Sequence, residues 1–129
     1  MSRTPPTHPQ VLPGTLDLIV LAMLDRSACH AYELTRRISA VTGQVMIIEE
    51  GSLYPCLNRL EKHGMLIRES GRGPTGRPVR TCSLTAAGRR ECRQQIKLWR
   101  SVSRAVEAVL GMPGPVPFSN ALGDDHSII

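Results

Sequence analysis

Leu16, Ile19, Val20, Met23 and Leu24 recur at the three-and-four spacing of an amphipathic helix, between a Thr15 able to cap it and the polar Asp25-Arg26-Ser27. A second helix is marked by Ala31, Leu34, Ile38 and Val41, with Glu33, Arg36, Arg37 and Ser39 outside and Gly43 as its stop. The run Val45 to Ile48 is short and β-prone, readable as a connecting strand or a buried loop. Gly51-Ser52 then opens a third helix, with Ser52 as cap, Pro55 in the first turn and Gly64 at the end. Projected at about 100° per residue, Leu53, Leu57 and Leu60 form one stripe of this helix. Pro55, Asn58, Arg59 and Lys62 lie opposite, with Tyr54 at the flank.

The period then changes. Leu66 to Ser70 reads as a strand, Gly71 to Pro78 is rich in Gly, Pro and Arg, and Val79 to Leu84 reads as a second strand, so the segment predicts a hairpin with a basic tip. Thr85 caps a long helix from Ala86 to about Leu110, with Ile96, Trp99, Val106 and Leu110 on its apolar side. The predicted fold is mainly α (α+β). It comprises an extended N-terminal arm over residues 1–13, three helices with a two-stranded hairpin over 14–84, a long helix over 85–110 and a proline-rich disordered tail over 111–129.

Aromatic residues make up only 3% of the chain, so the core must be filled by Leu, Ile, Val and Ala. The net charge of +5 is unevenly distributed: residues 52 to 104 hold twelve Lys or Arg against three acids, which leaves that stretch at +9. Residues 1 to 51 are nearly neutral and the last nineteen are acidic. A contiguous basic stretch points to a polyanionic partner.

The longest apolar run, Leu18 to Leu24, is too short to span a bilayer, and Met1 to Gln10 lacks the apolar core of a signal peptide. The expected location is therefore cytoplasmic, with Cys29, Cys56, Cys82 and Cys92 as reduced thiols. None of the cysteines or histidines shows paired-ligand spacing, so no metal and no cofactor is expected. Cys56 and His63 are about 10 Å apart along one helix, too far for a nucleophile and its base. Cys56 projects near the leucine stripe and is read as a small buried apolar residue. No nucleophile, base and oxyanion donors converge, which argues against an enzyme.

The order of helices, basic hairpin and long amphipathic helix is that of a winged helix-turn-helix with an appended dimerisation helix. The chain resembles the PadR family of transcription regulators through His30-Ala31-Tyr32-Glu33-Leu34, Glu50 to Gly64, Gly76-Arg77-Pro78-Val79-Arg80 and Leu84-Thr85-Ala86-Ala87-Gly88. The resemblance covers roughly residues 14 to 110. The second segment is long and specific, whereas Leu-Thr-x-x-Gly occurs in other winged-helix families. A proline-rich tail in place of a long C-terminal helical domain matches the short subfamily.

The third helix combines a packed face with a polar, cationic one, as a major-groove helix requires. Arg59 and Lys62 are expected to contact guanine edges or phosphates, and Asn58 a base edge. Ser52 with the first-turn N–H groups is expected to clamp a phosphate, and Tyr54, beside Pro55, to pack on the sugar-phosphate backbone. The resemblance implies that the serine, tyrosine and basic positions of this helix face DNA. Arg72, Arg77 and Arg80 lie in a hairpin whose Gly71, Gly73 and Gly76 permit close approach to a minor groove or its phosphates.

Ile96, Trp99, Val106 and Leu110 are expected to build a dimer interface, and the resemblance also implies an aromatic effector between the C-terminal helices. Tyr32 and His30 are expected to pack between the first three helices. The expected partners are thus a pseudo-palindromic double-stranded DNA, a second copy of the chain and a small aromatic effector, with no membrane. The favoured function is a homodimeric repressor. The competing classes are a winged-helix regulator switched by metal or thiol oxidation, and a winged-helix interaction module that reads no sequence.

Overall fold

The structure is a computed structural model that describes residues 14–111. The arm expected over 1–13 and the tail expected beyond residue 111 lie outside the described residues. Seven elements follow in order: α1 (Thr15–Arg26), β1 (Cys29–His30), α2 (Ala31–Val41), α3 (Glu50–Lys62), β2 (Leu66–Arg72), β3 (Pro78–Leu84) and α4 (Ala86–Leu110). The described residues fall into two compact units, one ending at Arg90 and the other beginning at Glu91.

In the first unit the helices bury most of the expected stripes, but Leu16 and Ile19 are only half-buried, Val41 is exposed, and Leu21, outside the expected α1 stripe, is fully buried. Val20, Leu21 and Leu24 of α1, Leu34 and Ile38 of α2, and Leu53, Leu57 and Leu60 of α3 form the core, joined by Leu66, Cys82 and Leu84 from the strands. Each fully buried Leu side chain contributes about 1.5–3 kcal/mol of transfer free energy. None of the aromatic residues among those described is buried, so the core is aliphatic, as the composition requires.

The helix ends differ from expectation in instructive ways. α1 begins at Thr15 itself with Gly14 at the cap position and no side-chain cap. α3 starts two residues before Ser52: Glu49 is its cap residue, again without a side-chain bond, and the Ser52 amide is already engaged with the Glu49 carbonyl at 3.0 Å. Pro55 consequently falls in the second turn rather than the first, where it supplies no N–H to the Gly51 carbonyl four residues back. Ser52 is the only good capping residue nearby, but the burial of Leu53 and Leu57 tolerates the earlier beginning at Glu50. α3 ends at Lys62, and Gly64 follows with φ of 75°, the left-handed conformation that glycine adopts without strain.

Val45 to Ile48 is not a strand. Thr42 donates its hydroxyl to the Ile38 carbonyl and accepts the Met46 amide, which curls the chain into a turn. Ile48 alone of this run is buried.

The hairpin belongs to a three-stranded antiparallel sheet of order β1-β3-β2, in which the two-residue β1 is an addition to the expected pair. The register places Leu66 opposite Leu84, Arg68 opposite Cys82 and Ser70 opposite Arg80, while Cys29 of β1 faces Cys82 from the other side. Side chains alternate faces along a strand, so Leu66, Arg68 and Ser70 share the face of Leu84, Cys82 and Arg80. That face carries the core at one end and cations further out.

Thr85 joins the sheet to α4. Its hydroxyl donates to the Gly64 carbonyl at 2.6 Å and accepts the Gly88 amide at 3.1 Å, the expected cap, while its own amide donates to the Met65 carbonyl at 3.1 Å. A Cβ at Gly88 would lie 2.0 Å from the same Met65 oxygen, so the Leu-Thr-x-x-Gly segment is a packing motif. Arg89 of the first α4 turn pairs with Asp25 at 3.5 Å.

In the second unit α4 continues to Leu110 with one apolar side. Cys92 is buried and Ile96 is half-buried, whereas Trp99 (49%), Val102, Val106 and Leu110 (64%) are exposed in the single chain. Arg93, Lys97 and Arg100 are exposed on the other side of the helix.

Candidate nucleic-acid interface

α3 is rigid on one side and open on the other. Leu53, Cys56, Leu57 and Leu60 are at most 4% exposed, while Ser52, Tyr54, Pro55, Asn58, Arg59 and Lys62 are all exposed. The register of β2 and β3 brings Arg68 and Arg80 to the same side as Tyr54 and Asn58. Together with His30 and Tyr32 these residues line a cavity of about 530 Å³. A neighbouring cavity of about 630 Å³ shares His30 and Tyr32 and is bordered by Arg36, Glu50 and Arg77. The start of α2, the outer face of α3 and the hairpin thus surround two adjoining cavities, lined by arginines and aromatic residues together with Glu33 and Glu50.

Of the residues expected to face DNA, Tyr54, Asn58, Arg77 and Arg80 line these cavities, whereas Ser52, Pro55, Arg59, Lys62 and Arg72 lie outside them. The side chains of Lys62, Arg77 and Arg80 make no hydrogen bond or ion pair among the described residues, although the Arg77 carbonyl accepts the Gly73 amide at 2.8 Å. Arg72 donates Nη1 to the Gly76 carbonyl at 2.8 Å, which braces the turn of the hairpin. Arg59 is not free: Nη2 donates to Oδ1 of Asp17 on α1, a bond that raises the already high pKa of its guanidinium. The same Asp17 oxygen accepts the Cys56 thiol at 3.2 Å. Burial, reinforced by that hydrogen bond and the Asp17 charge, pushes the Cys56 thiol up to about 12. Cys56 is buried as expected, but it has a polar partner.

Asn58 is likewise engaged. Arg68, whose side chain is only 11% exposed, donates Nη2 to Asn58 Oδ1 at 2.6 Å and to Glu61 Oε1 at 2.6 Å, with Nε on the same Glu61 oxygen at 3.1 Å. The hydrogen bond from Arg68 holds the Glu61 carboxyl below the usual carboxylate range, with the charges of Arg68 and Arg80 acting in the same direction. Charge-assisted bonds of this length are the stronger kind.

Tyr32 and His30 differ from expectation. Tyr32 is 57% exposed and carries the Arg36 guanidinium 5.9 Å from its ring centroid. His30 caps α2, its Nδ1 accepting the Glu33 amide at 3.2 Å. The tyrosine does not pack between the helices because the α2 positions facing the core are Ala31, Leu34 and Ile38, and residue 32 is turned outward from them.

Asp17, Glu61, Arg68 and Tyr32 were missed as parts of this surface. For Arg68 a signal existed: two residues after the buried Leu66 on a strand, it shares the inward face, and an inward guanidinium requires acceptors. Nothing in the sequence links Asp17 to Arg59, 42 positions later. Ser52 is exposed, but its amide is engaged and the carboxylate residues Glu49 and Glu50 stand at the helix start, which disfavours a phosphate there. Among the described residues no group of three or more His, Cys, Asp or Glu could hold a metal ion, and Cys29, Cys56 and Cys82 form no disulfide.

Three helices, a β-hairpin beside the third and a following long helix define a winged helix-turn-helix protein. Residues 20–94 match the profile of the transcriptional regulator PadR-like family, and the chain belongs to that family. The solved structure of a PadR family transcriptional regulator from Eggerthella lenta is similar, with 30% identity, coverage of 75% of this chain and 82% of that one, and a TM-score of 0.65. A transcriptional regulator from Clostridium thermocellum gives a TM-score of 0.67 at 25% identity, over 74% of this chain and 89% of that one. An uncharacterised protein of Lysinibacillus sphaericus is 26% identical over 97 residues, 75% of this chain and 89% of the relative. The chain is therefore a transcriptional regulator and not an enzyme. No helix among the described residues is long and apolar enough to cross a membrane.

Proposed function

We propose that the protein is a homodimeric repressor that reads a pseudo-palindromic double-stranded DNA, with α3 in the major groove and the β2–β3 hairpin on flanking phosphates and minor groove. The observation that carries this reading is the two-sided α3. A helix held by four buried residues presents Tyr54, Asn58, Arg59 and Lys62 outward, and Tyr54 and Asn58 line a cavity with Arg80 of the hairpin. Such a helix can enter a groove without losing its own packing. The charge of +9 over residues 52 to 104 supplies the attraction to phosphates.

Dimerisation is supported by the apolar side of α4. Trp99, Val102, Val106 and Leu110 are about half or more exposed in the single chain, and a second α4 would cover them. Half-sites related by two-fold symmetry follow from such a dimer. Trp99 is also the aromatic wall that a small aromatic effector would use, and binding there would release the DNA by altering how the two readers are spaced.

Fluorescence anisotropy on duplexes selected from a random pool tests the reading. Affinity is expected to fall steeply with salt, by about 0.9 in log K per log unit of salt for each phosphate neutralised. Arg59→Ala combined with Lys62→Ala should cost at least about tenfold, as loss of base-edge or phosphate contacts does. Unchanged affinity in that double variant would leave only an interaction module. Sedimentation equilibrium of the full chain should give a dimer, and Trp99→Glu a monomer.

A further inference from the structure

We infer that Asn58 reads guanine in preference to adenine at its base pair, and that Arg68 is the positioning residue that imposes this preference. The inference rests on the DNA-reading role proposed above and goes beyond it by assigning a base. A guanidinium only donates, so the atom of the Asn58 amide that faces Arg68 at 2.6 Å must be the oxygen. The orientation of this amide is thus fixed by its partner rather than left open, as it is for most asparagines.

The oxygen is held firmly. Glu61, one turn further along α3, takes both Nε and Nη2 of Arg68, so the guanidinium is locked between two residues of the same helix. Arg68 is nearly covered, and Asn58 is exposed. The oxygen is turned toward β2, and the NH2 group, without a partner among the described residues, is the edge presented outward.

An asparagine that reads adenine needs both ends of its amide, one accepting from N6 and one donating to N7. Asn58 offers two donors outward, while its oxygen is turned away to Arg68 with one lone pair engaged there. Guanine presents N7 and O6, both acceptors, and matches that edge. Adenine sets its own N6 donor against it.

The test uses the full chain in selection from a random duplex pool, followed by affinity measurements on single-base variants of the selected site. The base pair read by Asn58 is the one whose preference disappears in Asn58→Ala. Wild type is expected to favour guanine over adenine there by on the order of tenfold, within the range for one good base contact. Arg68→Met frees the amide oxygen, and the ratio should fall to within about threefold. Asn58→Asp serves if Arg68→Met fails to fold. One carboxylate oxygen keeps the Arg68 bond and the other faces out as an acceptor, so the preference should move to cytosine, whose N4 donates.

Selection of adenine by wild type would overturn the inference. So would an Asn58→Ala variant that loses affinity equally for all bases, or an Asn58→Asp variant that gains nothing for cytosine. If wild type enriches no sequence at any salt concentration, the DNA-reading role itself falls, and the inference with it.

Discussion

Gly88→Ala should unfold this domain at markedly lower temperature, although alanine is the better helix former. The added methyl would sit 2.0 Å from the Met65 carbonyl oxygen, 3.0 Å from its carbon and 3.3 Å from Leu84 Cδ2. The obstacle is backbone, and that carbonyl also accepts the Thr85 amide, so it cannot swing aside cheaply. Relief requires lifting the first turn of α4 by about an ångström or more. This strains the bond from Thr85 to Gly64 and opens space beside Leu84, which is 6% exposed. Overpacking costs about 1–3 kcal/mol, and one or two weakened hydrogen bonds about 1 kcal/mol each. Helix propensity returns about 0.5–1 kcal/mol. The net is about 1–4.5 kcal/mol, which for a domain of this size lowers Tm by roughly 5–30 °C. Reversible thermal unfolding followed by circular dichroism, at one protein concentration for all variants, measures it. Gly71→Ala is the control: that position faces open space in a strand, without positive φ, and alanine there should stabilise by about 0.5–1 kcal/mol. If Gly88→Ala melts within about 2 °C of wild type, the contact between α4 and the α3–β2 turn is not as described, and the packing account of Leu-Thr-x-x-Gly fails.

Asp17→Asn removes the carboxylate that competes with DNA for Arg59, and operator affinity at low salt should rise by about threefold in anisotropy titrations. The elevated Cys56 pKa makes stability pH-dependent. Its contribution is full below the ordinary thiol value of 9.0 and is lost as pH rises from there toward about 12. Urea midpoints measured from pH 8 to 10.5 should therefore fall, and Cys56→Ala should flatten that slope by up to about 1.4 kcal/mol per pH unit. Leu57→Ala should cost about 2–5 kcal/mol of stability in chemical denaturation. Tyr54→Ala, at an exposed position on the same helix, should cost under about 0.5 kcal/mol while weakening DNA binding.

The leucine stripe of α3, the hairpin with its basic turn, the Thr85 cap and the apolar side of α4 were legible because each depends on neighbours within a turn or a strand. Periods of 3.6 and 2 and single capping residues carry that information locally. The two-residue β1 carried none, being too short for any period. The start of α3 was displaced because Glu49 holds the cap position without the side-chain bond that marks a cap in sequence.

The site was legible in its residue types but not in their states. That Asn58, Arg59 and Lys62 share an outer face follows from the helix alone. That Arg59 is held by Asp17 and that Asn58 turns its oxygen to Arg68 follow only from the packing of α1 and β2 against α3. By itself the sequence determined a winged helix-turn-helix whose third helix has a polar, cationic outer face. Tertiary structure decided which of those cations and amides are already engaged, because hydrogen bonds between residues ten or forty positions apart depend on the meeting of elements and leave no periodic trace.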